Sequence, residues 1–140
     1  ALQCEPDVVK PNIFELAEAV GDKPSTDPEV VLVSARKMLD MGAGTVCVSM
    51  SQEGAVFVSK SEDEALYVNT NPRIYDEGAV GTGDAMVGAI ANSMNKGLRF
   101  DEMARFAVAT ARASSRLAGT EMATLKKVYE VYETTQVYIL

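Results

Sequence analysis

Hydrophobic and polar positions alternate along the chain with two different periods. Residues 7–10 (DVVK) form a short apolar run halted by Pro11, and 12–20 (NIFELAEAV) follow with Ile13, Leu16, Ala17 and Val20 at helical spacing before Gly21. This predicts strand, turn and helix. A polar loop containing Pro24 leads to a second helical pattern over 27–41, with Asp27 as its cap and Gly42 and Gly44 as its stop. Residues 45–50 (TVCVSM) are then rich in β-branched side chains and predict a strand, and 54–59 (GAVFVS) and 65–69 (ALYVN) predict two more around the charged segment 60–64. Such a hairpin or meander interrupts the parallel pattern. Beyond Pro72, a glycine-rich stretch at 78–84 opens a helix over about 85–95. A second helix over 101–117 is small and apolar on most faces, at Ala104, Phe106, Ala107, Val108, Ala109, Ala111 and Ala113, which predicts burial. A helix at 125–133 and a strand at 136–140 complete the pattern, with no internal repeat or interdomain linker.

Strands alternating with helices imply an α/β layered sheet, in which ligands sit at the carboxyl ends of strands. Three loops are therefore candidates for a site: residues 11–15, 49–54 and 78–84.

Composition narrows the chemistry. The 140 residues suffice for one domain with a core, and 47% hydrophobic content describes an ordinary globular chain. A formal charge of −7 argues against a nucleic-acid partner, because that affinity rests on Lys and Arg neutralising phosphates. No apolar run reaches the ~20 residues that cross a bilayer, and the first residues lack a secretory pattern, so no membrane partner and a cytoplasmic location are expected. Cys4 and Cys47 stand far apart and are expected to be reduced structural thiols; histidine is absent, which leaves acid/base work to a carboxylate, Lys or Tyr.

The strongest chemical signal is Gly81, Thr82, Gly83 and Asp84, a glycine-rich turn entering a helix. Glycines let the backbone approach a ligand, and free amides at a helix start hold anions such as a phosphoryl group. The same field favours ionised Asp84, making it available to take a proton from an attacking hydroxyl. A cap stabilised by Asp84 explains the spacing equally well. Asn12 and Glu15 form N-x-x-E after the first strand; a capping box is the favoured account, and it is compatible with contact to nucleotide phosphates and the water shell of magnesium. Residues 49–54 (SMSQEG) alone indicate little beyond a turn ending in glycine. Lys126 and Lys127 read as a solvated helix face, and Met86, Met94 and Met103 as core filling.

Taken in order, these loops resemble the C-terminal half of the ribokinase-like (PfkB) carbohydrate kinases, whose N-x-x-E segment is similar to KPNIFELAEAVG, nucleotide strand pair to VSMSQEGAVFV and GAGD signature to VGTGDAMVGAIA. The resemblance covers essentially the whole chain. KPN, VGTGD and RFAVATARASSRLAGT most resemble the branch containing 1-phosphofructokinase and tagatose-6-phosphate kinase. It implies a ribokinase-like layered sheet with flanking helices, residues 1–140 forming the nucleotide-binding and catalytic portion of a larger domain. The implied activity is phosphorylation of a sugar or sugar phosphate, with ATP and Mg2+ as cofactors; the other class considered is a noncatalytic nucleotide-binding or regulatory module.

By position, the resemblance makes Asp84 the base and the amides of Gly81, Thr82 and Gly83 the anion hole, with Gly83 also counted among the cofactor contacts. Asn12 would contact ATP, Glu15 would act through magnesium, and Ser49, Met50, Ser51, Gln52, Glu53 and Gly54 would line the phosphates and ribose. Ser51 stands where the family usually has glycine, Thr82 replaces the commoner Ala or Ser, and Gly78 and Ala79 replace a polar pair. The family's N-terminal half is expected as the missing partner, the segment alone is expected to be inactive, and self-association or a homo-oligomer is expected from its uncovered sheet edge.

Overall fold

The computed structural model describes residues 8–50, 53–70, 86, 89–90, 97–115 and 125–140. The described elements run β1 (Val8–Val9), α1 (Ile13–Val20), α2 (Pro28–Asp40), β2 (Thr45–Ser49), β3 (Ala55–Ser59), β4 (Leu66–Thr70), α3 (Phe100–Ser115), α4 (Leu125–Thr134) and β5 (Thr135–Ile139). The strands form one sheet in the order β1-β2-β3-β4-β5. Two compact bodies divide the chain, one of residues 1–67 and 138–140 and the other of residues 68–137.

In the first body the sheet is mixed. β1 runs parallel to β2, with Val8 opposite Thr45 and Val9 opposite Val46, whereas β2 and β3 pair antiparallel. The antiparallel register explains the core: Val46 faces Val58 and Val48 faces Val56, so four β-branched side chains share one face. All four are 0–1% exposed and join Leu16 of α1 and Val31, Ala35, Met38 and Leu39 of α2 in one cluster. Fully burying each Val side chain favours folding by about 1.5–3 kcal/mol before entropy is counted. Cys47 and Phe57 pair on the opposite face and are also fully buried, so these central strands are apolar on both sides.

The ends of α1 and α2 follow local chemistry. Gly21 adopts φ 76° at the C-terminal cap of α1 and donates its N–H to the Ala17 carbonyl. Asp27 caps α2 by accepting from the Glu29 N–H at 3.0 Å, and Pro28 fills the first helical position, where its missing donor costs nothing. A polar clip joins the two helices. The Asp22 carboxylate accepts from Ser34 Oγ at 2.6 Å and from Lys37 Nζ at 2.8 and 3.0 Å.

In the second body α3 packs on α4 through Ala109, Ala113, Val128 and Val131, flanked by Phe106 and Tyr132. The small apolar residues of α3, Ala104, Ala107, Val108, Ala109, Ala111 and Ala113, are buried, as its composition predicts. Arg105 spans the same pair, its guanidinium 4.1 Å from the Tyr132 ring centroid and its Nε donating to the Tyr132 carbonyl at 3.0 Å. Met86 and Met103 are buried, as expected of core filling, whereas Met94 lies outside the described residues. Lys126 is exposed.

The predicted elements differ from the observed ones mainly at their ends. β1 is two residues long, although Pro11 and Asn12 still meet Ser49 beyond its end. Met50 falls outside β2, and the helix predicted over 85–95 is described only at Met86, Ala89 and Ile90, all helical and buried. Among the described residues, no helix is long and apolar enough to cross a membrane.

Candidate functional site

Parallel pairing puts the carboxyl ends of β1 and β2 on the same side of the sheet, and the chain's local chemistry then joins the loops that leave them. Pro11 is buried and offers its carbonyl to the Ser49 N–H at 3.0 Å, and Asn12 and Ser49 form an isolated parallel bridge. Two of the three loops singled out from the sequence are thus brought together.

Asn12 starts α1 from an extended backbone (φ −83°, ψ 176°). Its Oδ1 accepts from the N–H of Phe14 at 3.0 Å and of Glu15 at 2.8 Å, while Glu15 Oε1 accepts from the Asn12 N–H at 3.0 Å. The capping box favoured from the sequence is therefore present in both halves. It engages one oxygen of each side chain. Among the described residues, Asn12 Nδ2 and Glu15 Oε2 have no partner, and both side chains are exposed. An amide donor and a carboxylate oxygen therefore stand at the positive end of α1, one free to meet an anion and the other a hydrated cation.

The turn between β2 and β3 is a closed backbone bracket. Met50 donates its N–H to the Gly54 carbonyl at 2.9 Å, and Glu53 donates to the Met50 carbonyl at 3.0 Å. Gly54 takes φ 103°, a conformation that disfavours any residue with a Cβ. The Met50 side chain is 2% exposed and packs in the core with Val48 and Val56, so its backbone is the part that faces the turn. It anchors the bracket from below. Ser49 and Glu53 remain half-buried, and Gly54 is buried. Ser51 and Gln52, expected in the same turn, lie outside the described residues, as do Gly81, Thr82, Gly83 and Asp84.

One residue of this region was not singled out from the sequence. Tyr67, in β4, donates its hydroxyl to the Glu53 carbonyl and so reaches the bracket from another strand. A tyrosine in an alternating strand pattern carries no signal for such a contact, which spans 14 positions of sequence.

The electrostatics near the bracket are simple. Burial pushes the Cys47 thiol up to about 12, with nearby Lys10 acting weakly in the opposite direction. Cys47 is thus an inert structural thiol, as expected, while Cys4 lies outside the described residues. Among the described residues, no three Cys, Asp or Glu side chains converge as a metal cage.

Comparison with known proteins agrees with the fold and extends it. The chain matches the pfkB family of carbohydrate kinases over residues 1–126. It is 38% identical over 109 residues to the 1-phosphofructokinase of Rhodobacter capsulatus, covering 78% of this chain and 33% of that protein. The crystal structure of Escherichia coli phosphofructokinase-2 in complex with substrates and products superposes with a TM-score of 0.80 at 30% identity, over 91% of this chain and 40% of that one. Arabidopsis thaliana ribokinase, solved with ribose and ATP, superposes with a TM-score of 0.78 at 25% identity, over 91% of this chain and 41% of that one. The chain thus spans between a third and about two fifths of these relatives' lengths, and the shared lengths assign it to no particular half of them. The fold is ribokinase-like, and the chain belongs to the pfkB family of carbohydrate kinases.

Proposed function

We propose that residues 1–140 are the nucleotide-binding and catalytic portion of a larger kinase domain, which transfers the γ-phosphoryl group of ATP to a hydroxyl of a sugar phosphate. The observation that carries this reading is the meeting of Asn12 and Ser49 at neighbouring strand ends, with an amide donor and a carboxylate oxygen left over by the cap. The family match and the likeness to a 1-phosphofructokinase support the class of acceptor.

In this reading Asp84 accepts the proton of the acceptor hydroxyl as its oxygen attacks the γ-phosphorus, and the bond from that phosphorus to the bridging oxygen of ADP breaks. The amides of Gly81, Thr82 and Gly83 meet the charge that develops on the transferred group. Phosphoryl transfer draws mainly on such positioning and charge stabilisation. Asn12 orients the nucleotide phosphates, and the turn over residues 49–54 lines them. Magnesium, when bound with the nucleotide, offsets phosphate charge; Glu15 Oε2 is a hard oxygen suited to hold its water shell.

Replacing Asp84 by Asn in the protein that carries this chain tests the assignment. Turnover is expected to fall by about 10²- to 10⁴-fold with ATP binding largely kept. Unchanged turnover would remove Asp84 from its role, and nucleotide binding by the unaltered protein without any turnover would favour a regulatory module. Comparing fructose 1-phosphate, fructose 6-phosphate, tagatose 6-phosphate and ribose as acceptors identifies the sugar.

A further inference from the structure

We propose that Tyr67 is a positioning residue for nucleotide binding, acting through the bracket between β2 and β3; this rests on the reading of that turn as part of the ATP site. The bracket's own hydrogen bonds are local: Met50 N–H to Gly54 and Glu53 N–H to Met50. They join the two stems of the turn, Met50 to Glu53 and to Gly54. The Tyr67 hydroxyl supplies a tie from a different strand, ending on the Glu53 carbonyl.

The phenol is itself held firmly. Its ring stacks on Tyr138 of β5 with centroids 5.9 Å apart and planes 25° from parallel, and the Leu140 N–H donates to the Ala65 carbonyl at 2.9 Å beside it. Buttressing of this kind makes the hydroxyl a fixed point rather than a rotating one. On the opposite stem, the Pro11 carbonyl holds the Ser49 N–H. The stems of the turn are therefore held at Ser49 by the loop that carries Asn12 and at Glu53 by Tyr67. Holding these stems in place reduces the ordering that ligand binding requires of them, which is how preorganisation raises affinity.

The test is Tyr67→Phe in the protein that carries this chain, which keeps the ring and its stack and removes only the hydroxyl. The KM and the directly titrated Kd for MgATP are expected to rise together by about two- to ten-fold, the range a single lost hydrogen bond allows, while kcat and the KM for the sugar acceptor stay unchanged. An unaltered MgATP affinity in Tyr67→Phe, or equal losses for both substrates with a lowered Tm, would reduce Tyr67 to a structural contact and overturn the proposal. If the unaltered protein fails to bind MgATP at all, the reading of the turn as a nucleotide site fails first and the role of Tyr67 falls with it.

Discussion

Asn12 and Glu15 exchange hydrogen bonds, each side chain accepting from the other's backbone N–H at 2.8 and 3.0 Å. Structural and ligand-binding roles can be separated at this pair because they use different atoms. Asn12→Ser keeps a capping oxygen and removes the amide, so it should leave chemical denaturation within about 0.5 kcal/mol while weakening MgATP in a binding titration. Asn12→Ala should lose both, with about 1 kcal/mol of stability. Equal nucleotide affinity in all three proteins would confine Asn12 to capping.

Acid should weaken the first body partly through Asp22. The hydrogen bond from Lys37, then that from Ser34, hold its carboxyl below the usual 3.8, with burial opposing them. A carboxyl depressed in the folded state contributes stability that is present above pH 3.8 and lost as the pH falls from there through the folded value. Asp22→Asn is expected to lower Tm slightly at neutral pH and to flatten its decline below about pH 4. Because Lys37 is exposed, added salt should shrink the difference. Parallel melting profiles for the two proteins from pH 2 to 7 would refute this assignment.

Cys47 should resist alkylation while the protein is folded. With the thiol pushed up to about 12 inside β2, iodoacetamide at pH 8 is expected to leave it unmodified until denaturant is added, as read by peptide mass mapping. Rapid labelling under native conditions would mean that β2 opens readily.

Phe57 lies fully buried opposite Cys47, and its truncation should be among the costliest in the first body. Phe57→Ala is expected to lose about 3–5 kcal/mol in urea denaturation. A loss below 1 kcal/mol would show that neighbouring side chains collapse into the space.

Much of this fold can be read from residue spacing because its elements obey local rules. Asp27 as a cap announces α2, β-branched residues announce β2 and β3, and the alanines of α3 announce its burial. Met50 shows where that logic stops: the SMSQEG turn does not announce that this side chain is drawn into the cluster of Val48 and Val56 across a hairpin. Tyr67 shows the same limit from the other side, since its contact with Glu53 depends on the order in which strands assemble. Within the site, the N-x-x-E cap was legible because it is a device of four consecutive residues. The meeting of Asn12 with Ser49 required knowing that β1 and β2 run parallel.

Helix α4 ends at Thr134 and β5 begins at Thr135, and both hydroxyls donate to the Val131 carbonyl, at 2.9 and 2.8 Å. With no slack at this seam, the helical phase dictates which way the first strand residues point, Thr135 buried and Gln136 exposed. A single residue inserted there would invert the strand like a zip shifted by one tooth, turning inward-facing positions out and outward-facing ones in. Length variation in this stretch of sequence should therefore come in pairs or not at all.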